Sequence, residues 1–203
     1  MEIRLLYSQI NPHFLYNTLG MIINEAEKEG AENTTELIEL LSGMFRYNLQ
    51  KEQYLVPLKK EIEYIQSYLL LLKKRYGEGF TAIFELDHTL DEYPVPHIFL
   101  QPLIENCIVH GSCAGQEKLD IIIRTLQTET EKLIIIKNTG NILSREQVKE
   151  LNDMVQREFE VGKQERVKTL QNINFRLKTA CSGQCGLNFE FDENYVVLKI
   201  RIG

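Results

Sequence analysis

The sequence has 203 residues, of which 43% are hydrophobic and 26% charged, and its formal net charge is −6. This composition is typical of one or two globular domains with an ordinary core, and it excludes a mainly disordered chain. The acidic balance argues against nucleic acid as a partner, because a nucleic-acid-binding surface needs surplus lysine and arginine to neutralise phosphates. A bilayer crossing needs about 20 apolar residues, and apolar runs such as the leucines at 69–72 are far shorter.

The four cysteines, Cys107, Cys113, Cys181 and Cys185, lack C-x-x-C spacing, and no signal peptide precedes them. We therefore expect reduced, mostly packed thiols in a cytoplasmic protein. A zinc site that combines them with His110 is disfavoured, because structural zinc sites use tighter ligand spacing.

The first half of the chain is predicted to be helical. Good helix formers dominate 1–28, where Pro12 is the one helix breaker. A turn is predicted at 30–33, and Thr34 or Thr35 is expected to N-cap a second helix.

The second helix carries one apolar stripe and is expected to fade near Gln53. Pro57 is then predicted to lie in the first turn of a third helix, which Gly77 and Gly79 end. Because a hairpin of two such helices cannot bury both apolar stripes by itself, we predict that it dimerises into a four-helix bundle.

The composition changes in the second half, where β-branched or apolar runs of strand length alternate with helical stretches. Such alternation indicates an α/β sandwich with helices on one face of a mixed sheet. Strands are predicted at 80–86, 119–126, 133–137 and 195–202, and helices at about 96–111, 144–159 and 166–180. The predicted fold class is therefore α+β, with a helical hairpin at 1–53 and an α/β domain at 54–203 that begins with a connector helix at 58–76.

The segment QINPHFLYNTL at 9–19 places a histidine on an amphipathic helix, where His13 shares a largely polar face with Tyr16 and Asn17. On pattern alone, a single histidine of this kind is most often a surface residue without a role. A functional histidine here would need an exposed, partly neutral imidazole, whose ring nitrogen could attack a phosphoryl group in line.

This segment resembles the phosphoacceptor box of LytS-like sensor histidine kinases, whose hallmark is P-H-F-L-x-N. Further matches follow in the order and spacing of the family: the second helix at 41–47, the connector helix at 61–75 and the first box of the ATP domain at 95–111. The resemblance covers nearly the whole chain. It implies that His13 becomes phosphorylated and that Asn17, one helical turn later, orients it through a hydrogen bond.

The segment at 96–111 resembles the asparagine box of the kinase, gyrase and mismatch-repair ATPase fold, with ATP as the nucleotide. The resemblance implies that Asn106 holds Mg²⁺, that Glu105 positions the water molecules of the metal, and that His110 belongs to the site. Asn106 and His110 are four residues apart and so project from one helical face. Without the family, an E-N pair on a helix is more often a capping or surface feature.

The second box of the family reads D-x-G-x-G and corresponds to Asn138-Thr139-Gly140-Asn141-Ile142 here. Asn138 would accept the hydrogen bond of the adenine amino group in place of the aspartate, without the charge that strengthens such bonds. Gly140 is kept, whereas Ile142 replaces the second glycine, and a β-branched side chain resists positive φ.

The third box of the family reads G-x-G-x-G-L-x-N and corresponds to 165–172, which contains no glycine. Arg166 and Lys168 could partly replace the phosphate contacts that the glycine backbone supplies. Val109 stands where the family commonly has lysine. We therefore expect nucleotide binding that is weak, altered or absent.

Two hypotheses follow. In the first, the chain is a histidine kinase core: His13 receives the γ-phosphoryl group of ATP across a homodimer and passes it to an aspartate of a response-regulator receiver domain. In the second, the chain is a degenerate, non-catalytic module that dimerises with a competent partner or is phosphorylated by it. An unrelated α/β enzyme is disfavoured because neither a nucleophile elbow nor an H-E-x-x-H motif is present. We also expect the chain to be part of a longer, membrane-anchored protein.

Overall fold

The computed structural model describes residues 12–49, 54–111, 118–157, 165–181 and 184–203. The helices, in chain order, are α1 Pro12–Lys28, α2 Glu32–Asn48, α3 Leu58–Tyr76, α4 Leu100–Gly111, α5 Arg145–Gln156 and α6 Glu165–Ala180. The strands are β1 Leu55–Pro57, β2 Phe80–Glu85, β3 Pro94–Pro96, β4 Leu119–Gln127, β5 Lys132–Asn138, β6 Gly186–Glu190 and β7 Val196–Arg201. Two short 3₁₀ helices, Gly77–Gly79 and His88–Leu90, complete the described elements.

Helices α1 and α2 pack against each other as the predicted hairpin. Leu19 and Ala26, two turns apart on one face of α1, are both buried. The N-cap prediction for α2 is wrong: the helix begins at Glu32 after Ala31, and the backbone N–H groups of Thr34 and Thr35 already donate to the carbonyl oxygen of Ala31. A helical hydrogen bond that starts at Ala31 places both threonines inside the helix instead of at its cap.

Helix α3 connects the hairpin to the sheet. Pro57 is the last residue of β1 and directly precedes the helix, one position before the predicted first turn. As expected, the helix ends at Gly77, whose φ of 68° lies in the left-handed region that glycine tolerates best. Within the described part of the chain, no helix combines the length and the apolar character that a membrane crossing requires.

The mixed sheet has the strand order β2-β4-β5-β7-β6, in which β2 and β4 run parallel and the other neighbours antiparallel. Alternate residues of its central strands, such as Ile121, Ile123, Ile134 and Ile136, are buried on one face. They pack in the core with residues of α3, α4, α5 and α6. The predicted α+β fold class, with helices on one face of a mixed sheet, is confirmed.

Sequence reasoning missed three strands. Strands β1 and β3, of three residues each, form a separate antiparallel pair, with Val56 opposite Val95. Strand β6 is an edge strand whose outward backbone groups are bound by side chains: the N–H of Leu187 donates to Asn174 Oδ1 at 2.9 Å, and that of Phe189 donates to Asn152 Oδ1 at 2.7 Å. These partners come from distant helices, so local pattern carries little signal for this strand.

Helix α4 begins at Leu100, four residues later than predicted. Pro96, where the helix was predicted to begin, is the last residue of β3, and Ile98 adopts a φ of 54°. A left-handed backbone at a β-branched residue breaks the helical path. Helix α4 therefore cannot extend towards the N-terminus past the strained backbone at Ile98.

The expectation of reduced cysteines is wrong for one pair. Cys181 and Cys185 form a disulfide between the end of α6 and the start of β6. Their Cα atoms are 5.6 Å apart, within the range that a disulfide spans. Cys107 is half-buried on α4, and Cys113 lies outside the described residues.

Candidate active site

Helix α1 exposes the predicted phosphoacceptor face. His13 and Asn17 are both exposed, and the amide Nδ2 of Asn17 lies 3.3 Å from Nδ1 of His13. The same amide lies 3.5 Å from Nε2 of the ring, so the hydrogen-bonded nitrogen depends on the tautomer. The pairing that the sequence spacing predicts is therefore geometrically available. The chemical roles of His13 and Asn17 remain predictions.

A cavity of about 230 Å³ lies between α4, the end of β5 and the start of α5. Apolar side chains from the sheet and the helices form most of its wall. The polar groups on the wall are side-chain amides, and no charged side chain of the described residues takes part in the lining. The lining residues are Leu103, Asn106, Cys107, Ile136, Asn138, Asn141, Leu143, Gln147, Leu170, Phe189, Val196 and Leu198.

Helix α4 brings Asn106 to this cavity. Its Nδ2 is buried and has no hydrogen-bond partner among the described residues. A buried amide donor without a partner is unusual, because the lost hydration costs roughly 1–3 kcal/mol. The Nδ2 donor of Asn106 thus makes no hydrogen bond that holds the described fold together. Rotation of the amide group about its last bond can present either its nitrogen or its oxygen to a ligand.

Asn138 enters the cavity from the opposite side, at the end of β5, and is only 4% exposed. Gly140 follows it in a crowded turn, where an added Cβ would lie 2.5 Å from the Cα of Gly111 and 2.7 Å from Asn138 Nδ2. Gly111 is the last residue of α4. The retained Gly140 therefore brings the β5 turn into close contact with the end of α4, on which Asn106 lies.

Glu105 lies in a hydrogen-bonded chain on α4. Its Oε1 accepts from Gln101 Nε2 at 2.8 Å, and Gln101 Oε1 accepts from the Tyr64 hydroxyl at 2.8 Å. This arrangement holds the half-buried carboxylate of Glu105 in one rotamer. The carboxylate can still accept further hydrogen bonds, including those from metal-bound water.

The family's third box corresponds to the start of α6, and only part of it is described. Arg166 lies in α6 and His110 in α4, but their side chains fall outside the described set. Lys168 is half-buried and is not among the residues that line the cavity. The structure therefore brings Asn106 and Asn138 together at one cavity, with Gly140 in the adjoining turn, and of the predicted cationic side chains only Lys168 is described, away from the cavity wall.

Buried amides join α6 to the end of α5, on either side of 158–164. Gln171 Nε2 donates to the carbonyl oxygens of Met154 and Arg157, and Asn174 Nδ2 donates to that of Val155. Helix C-termini leave carbonyl groups without helical partners, and these amides satisfy them. Helix α6, which contains the third box, is thus joined to α5 by side-chain hydrogen bonds.

Sequence reasoning missed two amides on the cavity wall, Asn141 and Gln147. Ser144 and Gln147 form a capping box at the start of α5, in which Gln147 Oε1 accepts from the Ser144 N–H at 2.8 Å. The S-x-x-Q spacing in the sequence predicts that cap.

Glu61 was also missed, although an acidic residue on the apolar stripe of α3 indicates a buried charge with a partner.

Comparisons with known proteins agree with this architecture. A profile of the histidine kinase family matches residues 1–80. The sensor histidine kinase YpdA of Escherichia coli is 33% identical over 141 residues, which are 69% of this chain and 25% of that protein. The sensor histidine kinase/phosphatase LytS of Staphylococcus aureus is 30% identical over 192 residues, which are 93% of this chain and 32% of that protein.

A solved structure shares the fold. The histidine kinase domain of the blue-light activated histidine kinase from Erythrobacter litoralis EL346 superposes with a TM-score of 0.52 at 11% identity, over 90% of this chain and 84% of that chain. The chain spans about a third or less of the length of YpdA and LytS. By sequence, the chain belongs to the histidine kinase family and is similar to sensor kinases of the LytS type, and its fold agrees with that membership.

Proposed function

We propose that this chain catalyses ATP-dependent phosphorylation of His13 and then transfers the phosphoryl group to an aspartate of a response-regulator receiver domain. The observation that carries the proposal is the single cavity that Asn106 and Asn138, from two separate motifs, both line. The family membership of the chain supplies the reaction type. The same membership favours this proposal over the non-catalytic module.

The cavity suits a nucleotide base. Its wall is mainly apolar, with amide groups at a few positions, which is the pattern of small-molecule sites that bind a flat ring and orient its polar edge. The amide of Asn138 offers both a donor and an acceptor to the base edge. The phosphates would then be bound by groups outside this uncharged lining, for which His110, Arg166 and Lys168 are the candidates.

Asn106 fits a Mg²⁺ site, because its side chain is at the cavity and has an uncommitted amide. Mg²⁺ is bound through few protein oxygens and keeps several waters, so one amide oxygen and the nearby Glu105 form a plausible donor set. When bound, the metal would neutralise charge on the triphosphate.

In the proposed reaction, a neutral ring nitrogen of His13 attacks the γ-phosphorus of ATP. The new N–P bond forms as the bond from phosphorus to the β,γ-bridging oxygen breaks, and ADP leaves. Asn17 is proposed to fix the ring orientation from one turn away. The exposure of His13 suits this role, since the residue must reach both the nucleotide and the receiver domain.

We also propose that the hairpin forms the homodimer interface. Phe14 and Met21, seven residues apart on α1, are 70% and 71% exposed, and Ile22 beside them is 45% exposed. Phe14 and Met21 lie on the other side of the helix from the buried Leu19 and Ala26, and Ile22 lies between the two faces. A second apolar stripe of this kind is typical of a helix that packs in a four-helix bundle. Membrane attachment of a longer parent protein stays a prediction.

The first experiment incubates the full chain with γ-labelled ATP and Mg²⁺. We expect an acid-labile, base-stable label that is absent in His13→Ala and in Asn106→Ala. If the two variants are mixed and the label returns, transfer takes place between protomers, because only mixed dimers combine an intact site with an intact His13. A wild-type chain that acquires no such label would contradict the proposal.

Calorimetry with ATP and ADP then separates the two hypotheses. Micromolar binding that Asn106→Ala weakens supports a kinase. If no binding is detectable in the wild-type chain while the hairpin still dimerises, the chain is a non-catalytic module, and the altered glycine boxes explain why.

A further inference from the structure

The carboxylate of Glu61 is fully buried, with 0% exposure. Its Oε1 accepts from the N–H of Ile98 at 2.6 Å, and its Oε2 accepts from those of Phe99 at 3.0 Å and Leu100 at 3.3 Å. These N–H groups lie at the start of α4, where a helix lacks internal acceptors and favours negative charge. A carboxylate from α3 therefore holds the first turn of the helix that carries Asn106.

Glu61 also holds a strained residue in place. Ile98, with its φ of 54°, occupies a left-handed conformation that is unfavourable for a β-branched residue. Such strain persists only where the surroundings fix the backbone, and here the hydrogen bond to Glu61 is one of the fixing contacts. The corner before α4 is thus a point at which a small change in contacts can move the helix.

A further donor to Glu61 comes from the hairpin. The hydroxyl of Tyr47, in α2, donates a short hydrogen bond to Glu61 Oε1. His97 binds the same tyrosine: its Nε2 lies 3.1 Å from the carbonyl oxygen of Tyr47, and the two rings pack edge to face at 4.5 Å. A carbonyl oxygen can only accept, so Nε2 of His97 carries the proton. Burial, together with the adjacent Glu61 charge, raises the pKa of Tyr47 and keeps its hydroxyl a donor.

A parallel contact leads to Glu105. The rings of Tyr47 and Tyr64 lie 4.9 Å apart, and the Tyr64 hydroxyl starts the chain through Gln101 to Glu105. Burial raises the pKa of Tyr64 as well, so its hydroxyl remains protonated. The hairpin is therefore connected both to the start of α4 and to a carboxylate on its next turn.

We propose that Tyr47, Glu61 and the backbone N–H groups of 98–100, here named the tyrosine–glutamate junction, couple the position of the hairpin to the position of α4. Tyr47 and Glu61 are positioning residues: Glu61 holds the start of the helix that carries Asn106 and Glu105, and Tyr47 acts on that helix through Glu61. The coupling is reciprocal. A nucleotide bound against α4 stabilises one position of the hairpin by the same free energy by which that position strengthens nucleotide binding. This inference rests on the proposed function, because it takes the cavity at α4 as the nucleotide site.

The test is hydrogen exchange of the full chain, measured by mass spectrometry with and without ADP and Mg²⁺. In the wild-type chain we expect nucleotide to slow exchange at 100–111 and, through the junction, to slow it about fivefold at 41–49, the low end of ordinary coupling factors. Tyr47→Phe keeps the ring and removes only the hydroxyl. It should keep the slowing at 100–111 and lose the slowing at 41–49.

Tyr16→Phe is the matched control, because Tyr16 donates to the carbonyl oxygen of Phe45 inside the hairpin and has no contact with Glu61. It should keep both effects. Glu61→Gln is a second junction variant and should lose the distant effect as Tyr47→Phe does. Two results would overturn the inference and leave the proposed function standing. In the first, nucleotide still slows exchange at 41–49 in Tyr47→Phe; in the second, it does not slow exchange at 41–49 in the wild-type chain. No slowing at 100–111 in the wild-type chain overturns the proposed function and the inference with it.

Discussion

The hairpin and the cavity proposed to bind nucleotide place their candidate functional groups in opposite environments. On α1, His13 and Asn17 are exposed and can meet a partner without any change in packing. At the cavity, Asn138 is 4% exposed and Gly140 lies against the backbone of Gly111. The difference shows that the proposed phosphoacceptor depends on local chemistry displayed on a helix, whereas the proposed nucleotide site depends on close contact between elements distant in sequence.

The largest effect is expected from Gly140→Ala. The added Cβ would meet the Cα of Gly111 at 2.5 Å, and backbone cannot yield as the end of a flexible side chain can. We expect the free energy of unfolding to fall by about 3 kcal/mol, the upper part of the ordinary range for overpacking. Urea denaturation measures the loss, and calorimetry should show weaker ATP binding, because the turn that carries Asn138 must move.

Gly79→Ala is the control for this change, since it makes the same substitution in the same domain where nothing lies within 4 Å of the new Cβ. It should alter stability far less. Equal losses in the two variants would mean that the close approach of the β5 turn to α4 is not what Gly140 provides.

The same contrast explains what could be predicted from the sequence. The helices and four of the sheet strands were predicted because their apolar spacing repeats with a helical or strand period. The contiguous motif around His13 identified the exposed acceptor face. By contrast, the edge strand β6 was missed because its backbone is paired by amides of α5 and α6, and no local pattern reports such partners.

The cavity was only partly predictable, for the same reason. Asn106 and Asn138 were expected from motifs, but Gln147 reached the wall only through the turn that positions α5. The disulfide between Cys181 and Cys185 likewise depends on how α6 turns into β6. Burial of Glu61 depends on three backbone N–H groups almost 40 residues away. Contacts between residues this far apart in sequence are fixed by tertiary packing, which a local sequence pattern does not report.

A second prediction asks whether the uncharged cavity limits nucleotide affinity. Asn138→Asp restores a carboxylate at the base-binding position, and hydrogen bonds to ionised acceptors are stronger than those to neutral ones. We expect ATP to bind about tenfold more tightly, which corresponds to about 1.4 kcal/mol. The unliganded chain should lose some stability, because the carboxylate at this buried position is desolvated. Calorimetry and thermal unfolding measure the two effects.

Asn141→Asp introduces the same charge elsewhere on the cavity wall and serves as the comparison. It should not tighten ATP binding. If both variants bind ATP more tightly by the same factor, the effect is one of net charge and Asn138 has no particular contact with the base.

A third prediction concerns the cap that fixes Gln147. In Ser144→Ala the N–H of Gln147 loses the Ser144 hydroxyl, which accepts it at 3.2 Å. Loss of an N-cap side chain costs about 1 kcal/mol, so the free energy of unfolding should fall by that amount. Ser67→Ala is matched to it: this hydroxyl donates to the Glu63 carbonyl oxygen within α3, where alanine is the better helix former. A similar loss in both would mean that the capping box does not stabilise α5.

The smallest effect on the free energy of unfolding is expected in the hairpin, where the substitution should stabilise the chain instead of destabilising it. Gly43 is exposed in the middle of α2, and nothing lies within 4 Å of an added Cβ. Alanine is the better helix former by roughly 0.5–1 kcal/mol, so Gly43→Ala should raise the free energy of unfolding by that amount. Thermal unfolding at several protein concentrations measures it. If the variant is instead destabilised most at high concentration, where the dimer prevails, Gly43 contacts the second protomer, and this part of the hairpin requires close packing as the cavity does.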